Sequence, residues 1–366
     1  MDYSILFHIP KPVVTGSAIG SKVRPQKLIA AFRSLNCEVE LVAGGSAERK
    51  KIISKVLSDI KKGRRFDFLY SESSNAPIPV SDDHHIPLHP FMDYRFYNAV
   101  RQAGIPSGLY YRDVFWKFPV FREKLSLPLR LLTYPLYLSD WRVFCSYIDH
   151  LFLPSERMAA HLHTPWPEDR VSRLPPGCDI HEHGQSGRED KLVCFYVGGI
   201  EPPVYDLKFM IDTFNTTQHA RLVLCCRQRE WQSLSGYYGS DPRNIDVVHA
   251  SGELLQQYYS AADVFIAAWN QDPYMDIAMP IKIFESLGHG VPVIISAGSE
   301  AADFIRSTGT GWVIDNLQEL PSLLQRLQAN REEIDRYRQA AIETRSRHTW
   351  QERAKQIITT LARGHG

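Results

Sequence analysis

The chain has 366 residues, with 42 Lys and Arg against 41 Asp and Glu, a formal net charge of +1 at neutral pH. That length exceeds what one hydrophobic core comfortably serves and predicts two α/β domains of roughly 170 residues each. A balanced charge argues against the strongly basic domain of a bulk nucleic-acid binder, and no apolar run approaches the roughly 18 residues of a spanning helix. The start, MDYSILFHIPKP, has no basic stretch leading into a long apolar run, so no secretory signal is expected. Cys37, Cys145, Cys178, Cys194, Cys225 and Cys226 form no Cys-x-x-Cys pair. Buried, reduced thiols and a cytoplasmic location follow as expectations.

Residues 3–9, YSILFHI, predict a first strand. A loop punctuated by Gly and Pro follows, then a helix over QKLIAAFRSLN and a strand at CEVELVAG, a βαβ unit. A basic helix at 49–62, a strand at FDFLYSES, a proline-rich loop, a helix at FMDYRFYNAVRQAG and a strand ending at Asp113 continue the pattern. Residues 114–144 break it. Aromatics and leucines alternate there with Lys117, Arg122, Lys124, Arg130 and Arg142, and Pro119, Pro128 and Pro135 predict several short pieces. Such a segment suits either a membrane interface or an apolar core.

A strand at IDHLFLPS and a short helix capped by Ser155 follow. The polar stretch 181–190 is the candidate linker. Beyond it, strands at KLVCFYV, ARLVLCC, NIDVVHA, DVFIAAW, VPVIIS and GWVID alternate with helices, one of them capped by Ser251. The predicted organisation is two Rossmann-like α/β domains, 1–180 and 191–335, then C-terminal helices at 336–366, the last returning to the first domain. Parallel sheets of this kind take ligands beyond the carboxyl ends of their strands, and a cleft between the domains is expected.

The stretch Pro280–Ile294, PIKIFESLGHGVPVI, holds the densest chemistry. Lys282 and Glu285 share one helical face. One can neutralise a phosphate; the other can accept two hydrogen bonds from a ribose diol. Pro280 suits the first helical turn, and a helix N-terminus with Ile281 offers free amides to an anion. An i,i+3 surface ion pair is the competing reading. Asp272 and Asp276 lie just upstream, as sugar-hydroxyl ligands or as loop acids.

PIKIFESLGHGVPVI resembles the donor-site signature of GT-B glycosyltransferases, in particular bacterial enzymes like those of the GT4 group, and the likeness extends over GSKVRPQKLIAAF and FYVGGI. It implies a GT-B fold with a nucleotide-sugar in the C-terminal domain, UDP by family frequency. Lys282 would contact the diphosphate and Glu285 the ribose. Gly16 and Gly20 would let the first loop approach a ligand, and Gly198 and Gly199 would do so for the second domain. Arg227 would join Lys282 in stabilising the leaving diphosphate, and His249 would line the base pocket. The family's usual partner glutamate is replaced by Ile277, with Asp276 out of register. Each of these positions also has a plain structural reading: loop, turn or packing.

Asp113, at the end of a strand, is the candidate base for an acceptor hydroxyl, with a helix-capping role as the alternative. Arg112 would lower its pKa or bind an acidic acceptor. Lys22 and Arg24 are read as anion attractors or surface charges. His84, His85 and His89 match no zinc spacing, and no Asp-x-Asp triplet is evident, so no metal is expected. The implied activity is glycosyl transfer to a hydroxyl of a glycan or lipid-linked acceptor in capsule or exopolysaccharide synthesis, peripherally at the inner membrane through 114–144, with stereochemistry open. A GT-B sugar-nucleotide epimerase and a non-catalytic nucleotide- or glycan-binding scaffold are the alternatives.

Overall fold

Two six-stranded parallel sheets organise the chain in a computed structural model that describes residues 3–13, 20–119, 121, 125–182, 189–239, 242–270 and 272–362. One unit comprises Met1–Thr15, Ser21–Pro175 and Trp350–Gly366, the other Gly16–Gly20 and Pro176–Thr349. In unit 1 the strands are β1 (Ser4–His8), β2 (Glu38–Val42), β3 (Phe68–Glu72), β4 (Ser107–Tyr110), β5 (His150–Leu153) and β6 (Val171–Arg173), in the order β2-β1-β3-β4-β5-β6. Every pairing is parallel. Strands β3 and β4 are buried along their whole length, as strands covered on both faces must be.

The helices of unit 1 are α1 (Gly20–Ser34), α2 (Ser46–Lys61), α3 (Met92–Gln102) and α4 (Leu127–Tyr147). Helix α4 corrects the expectation of short pieces. Pro128 falls in its first turn, where a missing N–H costs nothing. Pro135 lies inside the helix and leaves the Leu131 carbonyl without its helical donor. Leu131 itself is 69% exposed. Burial divides along the helix. Tyr137, Asp140, Trp141 and Phe144 are buried, whereas Leu127, Leu129, Leu131, Leu132 and Tyr134 are exposed. Trp116, from the preceding turn, stacks on Tyr137 at 5.0 Å and 10°.

Unit 2 has β7 (Leu192–Val197), β8 (Ala220–Cys225), β9 (Ile245–Val248), β10 (Val264–Ala267), β11 (Val293–Ser296) and β12 (Gly311–Ile314), in the order β12-β11-β10-β7-β8-β9. Its helices are α5 (Lys208–Thr216), α6 (Gln228–Tyr238), α7 (Leu255–Ala261), α8 (Ile281–Gly288), α9 (Glu300–Thr308), α10 (Leu320–Ala329) and α11 (Arg331–Arg345). Helix α9 has both end signals: the Ser299 side chain accepts from the Ala302 N–H, and Gly309 closes it in the left-handed region. Ser251 stands at an N-cap position without a side-chain bond, and the N-cap before Arg157–His161 is Glu156 rather than Ser155. The last helix, α12 (Trp350–Ala362), groups with unit 1. Five of the cysteines are buried and Cys145 is exposed, all of them free.

Candidate functional site

The strand order of unit 2 reverses between β7 and β10. At such a reversal the connections leave on opposite faces, and a crevice opens at the carboxyl ends of the two strands. Gly198 and Gly199 follow β7 there. A Cβ on Gly198 would lie 2.9 Å from the Tyr196 hydroxyl, and one on Gly199 would lie 3.2 Å from the Tyr205 ring. The Gly198 N–H donates to the Cys225 carbonyl at the end of β8 (3.1 Å), which joins the two strand ends.

Helix α8 begins beyond β10. Pro280 is its N-cap, one position ahead of the expected first turn, and Ile281 is its first helical residue. Ile283, Phe284 and Leu287 are buried in the core, which turns Lys282 and Glu285 outward on the opposite side. The turn at its end demands glycine twice. A Cβ on Gly288 would meet the Asp179 carbonyl at 2.1 Å, and Gly290 has a φ of +70°.

Lys282 Nζ donates to Glu285 Oε2 at 2.8 Å, the ion pair that its spacing allows. Both side chains are largely shielded, at 17% and 24% exposure. The pair does not exhaust either group: an ammonium has three donors and a carboxylate about four lone-pair sites. Tyr259 on α7 was not foreseen. Its hydroxyl donates to the same Glu285 oxygen at 3.1 Å. Burial and the adjacent carboxylate push that hydroxyl well above its usual pKa, so it stays a donor. Its ring stacks on His289 at 4.7 Å, and His289 stacks on His181 at 4.0 Å. Only the odd histidine inside the Gly-His-Gly turn signals this stack in the sequence.

Lys282 also reaches β8 electrostatically. Burial raises the Cys225 thiol, and a backbone hydrogen bond with Ala250 and the charge of Lys282 pull it back. Arg227, just past β8, is 64% exposed and pairs with Glu230. His249 is exposed, with Nδ1 donating to the Cys226 carbonyl at 2.9 Å. Asp272 accepts the Tyr274 N–H at 2.8 Å, in the manner of a loop acid. Ile277 is 4% exposed and belongs to the interior.

In unit 1 the carboxylate of Asp113 accepts the Phe115 N–H at 2.8 Å and caps the turn that follows β4. It lines a void of about 10 Å³ together with Asp140, whose carboxyl burial pushes up to about 7 against hydrogen bonds from Tyr94 and the Ile78 N–H. Arg24 is neither surface charge nor anion attractor. It is 4% exposed, its Nε donates to Glu72 at 3.1 Å, and its guanidinium lies 3.6 Å from the centre of the Tyr110 ring. The lone acid in an otherwise apolar strand, Glu72, was the available clue. Gly16 lies outside the described residues; Gly20 opens α1, and the side chain of Lys22 is not among those described. His84 pairs with Asp82 and His85 bonds the Val80 carbonyl. Among the described residues no cluster of three His, Cys, Asp or Glu is placed to hold a metal.

Residues 191–330 match the family model described as glycosyl transferases group 1. The fold is GT-B, and the second unit resembles glycosyl transferases group 1. Solved structures agree on the fold over the full length. HepE from Anabaena, determined in complex with UDP-glucose, superposes with a TM-score of 0.66 at 15% identity, covering 99% of this chain and 100% of its own. WaaG, a glycosyltransferase involved in lipopolysaccharide biosynthesis, gives 0.63 at 14% identity with full coverage of both chains. A glycosyltransferase from Rickettsia africae gives 0.66 at 11% identity, again with full coverage of both. Among curated proteins none matches the chain in sequence. Within the matched residues fall α8, Tyr259, Gly198 and Arg227.

Proposed function

We propose that the chain transfers a glycosyl group from a UDP-sugar to a hydroxyl of a glycan or lipid-linked acceptor. The observation that carries this reading is the fixed Lys282–Glu285–Tyr259 constellation within the residues that resemble glycosyl transferases group 1. Glu285, held from two sides, offers its remaining lone pairs to a ribose diol. Lys282, in the first turn of α8, faces the diphosphate. The UDP-glucose bound by HepE supports UDP as the donor nucleotide.

In the proposed reaction Asp113 takes the proton of the acceptor hydroxyl. That oxygen bonds to the anomeric carbon, and the bond from this carbon to the diphosphate oxygen breaks. UDP leaves with its charge stabilised by Lys282, Arg227 and the amides at the start of α8, an electrostatic role that preorganised donors fill well. Gly198 and Gly199 keep the loop after β7 low against the diphosphate, and His249 lines the base.

The proposed setting is the cytoplasmic face of a membrane. Support comes from the exposed leucines at the start of α4, together with Tyr134, which meets the Trp116 ring at 5.3 Å, and Lys117, whose ammonium lies 5.5 Å from that ring. Among the described residues no helix is long and apolar enough to cross a membrane. The boundaries 1–180, 191–335 and 336–366 remain the proposed functional division.

The test is thermal stabilisation by UDP, GDP, ADP and dTDP with and without EDTA, followed by product analysis with UDP-sugars and an acceptor panel. A ligand at about 100 times its Kd adds about 2.7 kcal/mol, enough for a clear shift. Selective stabilisation by UDP, unchanged by EDTA, is expected. No shift with any nucleotide overturns the reading.

A further inference from the structure

Unit 1 contains a cavity of about 420 Å³, within the roughly 300–1,000 Å³ typical of small-molecule sites. It lies where the strand order of the first sheet reverses, between β1 and β3. Lys11 lines it from the segment after β1, Ser73, Ser74 and Asn75 from the segment after β3, and Arg112 from the segment after β4. That is the crevice in which a doubly wound sheet takes its ligand.

The polar wall holds two cations, Lys11 and Arg112, and one carboxylate, Asp83. Arg112 Nη2 donates to Glu72 Oε2 at 2.8 Å, and its backbone N–H donates to Ser73 Oγ at 2.9 Å. Glu72 is fully buried, and its other oxygen accepts both Arg24 Nε and the Tyr70 hydroxyl at 3.1 Å. One carboxylate thus serves two guanidiniums, and Arg112 is held in a fixed orientation at the rim. Lys11 meets Asp83 at 3.3 Å, but these side chains are 36% and 98% exposed. An ion pair so wet is weak, and an incoming oxyanion replaces it readily. Guanidinium and ammonium groups together suit phosphate or carboxylate, and the serines and asparagine offer partners to sugar hydroxyls.

We propose that this cavity is an anion-recognising acceptor subsite: it takes a saccharide bearing a phosphate or carboxylate, with Arg112 and Lys11 on the charge. The proposal rests on the transferase reading above and adds the chemical class of the acceptor.

The test uses the full-length protein with saturating UDP and three probes, glucose 6-phosphate, glucuronate and glucose, with binding read by ligand-observed NMR. At least one anionic sugar is expected to bind tenfold or more tightly than glucose. The tighter of the two distinguishes a phosphorylated acceptor from a uronic one. Arg112→Gln should lose tenfold or more for that probe, Lys11→Gln severalfold, and Asp83→Asn should gain two- to threefold. All three variants should bind UDP like the parent, and the exposed Lys11 and Asp83 variants remain informative if Arg112→Gln fails to fold. If UDP binds but the three sugars bind alike or not at all, or if Lys11→Gln and Arg112→Gln both match the parent, this proposal falls while the transferase reading stands. If UDP itself fails to bind, it is the transferase reading that has failed.

Discussion

Tyr259 and Lys282 donate to one and the same oxygen, Glu285 Oε2, at 3.1 and 2.8 Å. A carboxylate pinned in this way pays little ordering entropy when a diol arrives, because its rotamer is already set. Tyr259→Phe removes one of the two bonds and keeps the ring stacked on His289. A lost hydrogen bond to a charged group costs about 1.5–3 kcal/mol at most, so UDP affinity should weaken by about tenfold while the fold is retained. Glu285→Ala should weaken it further, and Lys282→Ala should lower turnover by about a hundredfold, the scale seen when one preorganised electrostatic donor is removed. Calorimetric titration with UDP and initial rates check all three; unchanged UDP affinity in Glu285→Ala would sink the ribose assignment.

The buried cluster below β1 makes a second prediction. Asp93 accepts from His8 Nε2 at 3.0 Å and from Arg49 at 3.0 and 2.9 Å. Burial opposes its ionisation, yet the bonds from His8 and Arg49 win and hold it down to about 2. Burial also keeps His8 below its ordinary pKa. Because the folded pKa of Asp93 is depressed, its stabilisation is present above about pH 4 and is lost as pH falls toward 2. Asp93→Asn leaves the Arg49 charge buried and uncompensated, a loss of about 3–5 kcal/mol. Urea melts at pH 7 should show it; a loss under 1 kcal/mol would mean that Arg49 finds another anion.

How much of this was legible in the sequence differs by element. The strands announced themselves as unbroken apolar runs such as LVCFYV and VFIA, because sheets covered on both faces tolerate little else. Helix α8 was legible from Pro280 at its start and the glycines at its end. Helix α4 was not, because Pro135 argues against a helix, and only the burial of Tyr137, Trp141 and Phe144 outweighs it. Arg24 was misread because its partner Glu72 is 48 residues away, and a charge in a helical pattern is normally solvated. Tyr259 escaped for a similar reason: nothing local ties it to Glu285, 26 residues on.

The exposed start of α4 allows a direct test of the membrane setting. Leu131 and Leu132 are 69% and 63% exposed, and neither supports the core. Even partial insertion of a leucine is worth about 1 kcal/mol, given about 1.5–3 kcal/mol for full burial. The double variant Leu131→Glu, Leu132→Glu should therefore bind anionic vesicles at least tenfold more weakly in co-sedimentation, with the thermal midpoint and UDP affinity unchanged. Equal sedimentation of parent and variant would remove the membrane role from this helix.

Asp140 supplies the prediction with the clearest sign. Its carboxyl is 6% exposed, receives the Ile78 N–H at 2.8 Å and the Tyr94 hydroxyl at 2.5 Å, and is pushed up to about 7 by burial. The ordinary value is near 4. Below that value folded and unfolded chains both hold the proton, and the contribution of Asp140 is intact. As pH rises toward 7 the unfolded chain has released its proton while the folded chain must still keep it, so stability falls across that window. The shift of about three pH units, at about 1.4 kcal/mol each, bounds the loss at roughly 4 kcal/mol. Asn at this position is neutral at every pH. Its amide can donate to Tyr94 while its carbonyl accepts from Ile78, so Asp140→Asn should remove this part of the pH dependence without unfolding the chain. Urea midpoints from pH 4 to 8 measure it: the parent should decline relative to the variant, and parallel profiles would mean that Asp140 is ionised throughout. Because Asp113 lines the same small void, a charged Asp140 would also disfavour a second carboxylate there. On the acidic side Asp140 still holds its proton, so the acidic limb of transfer should be the same in Asp140→Asn as in the parent, and a shift of that limb would mean that Asp140 is ionised there.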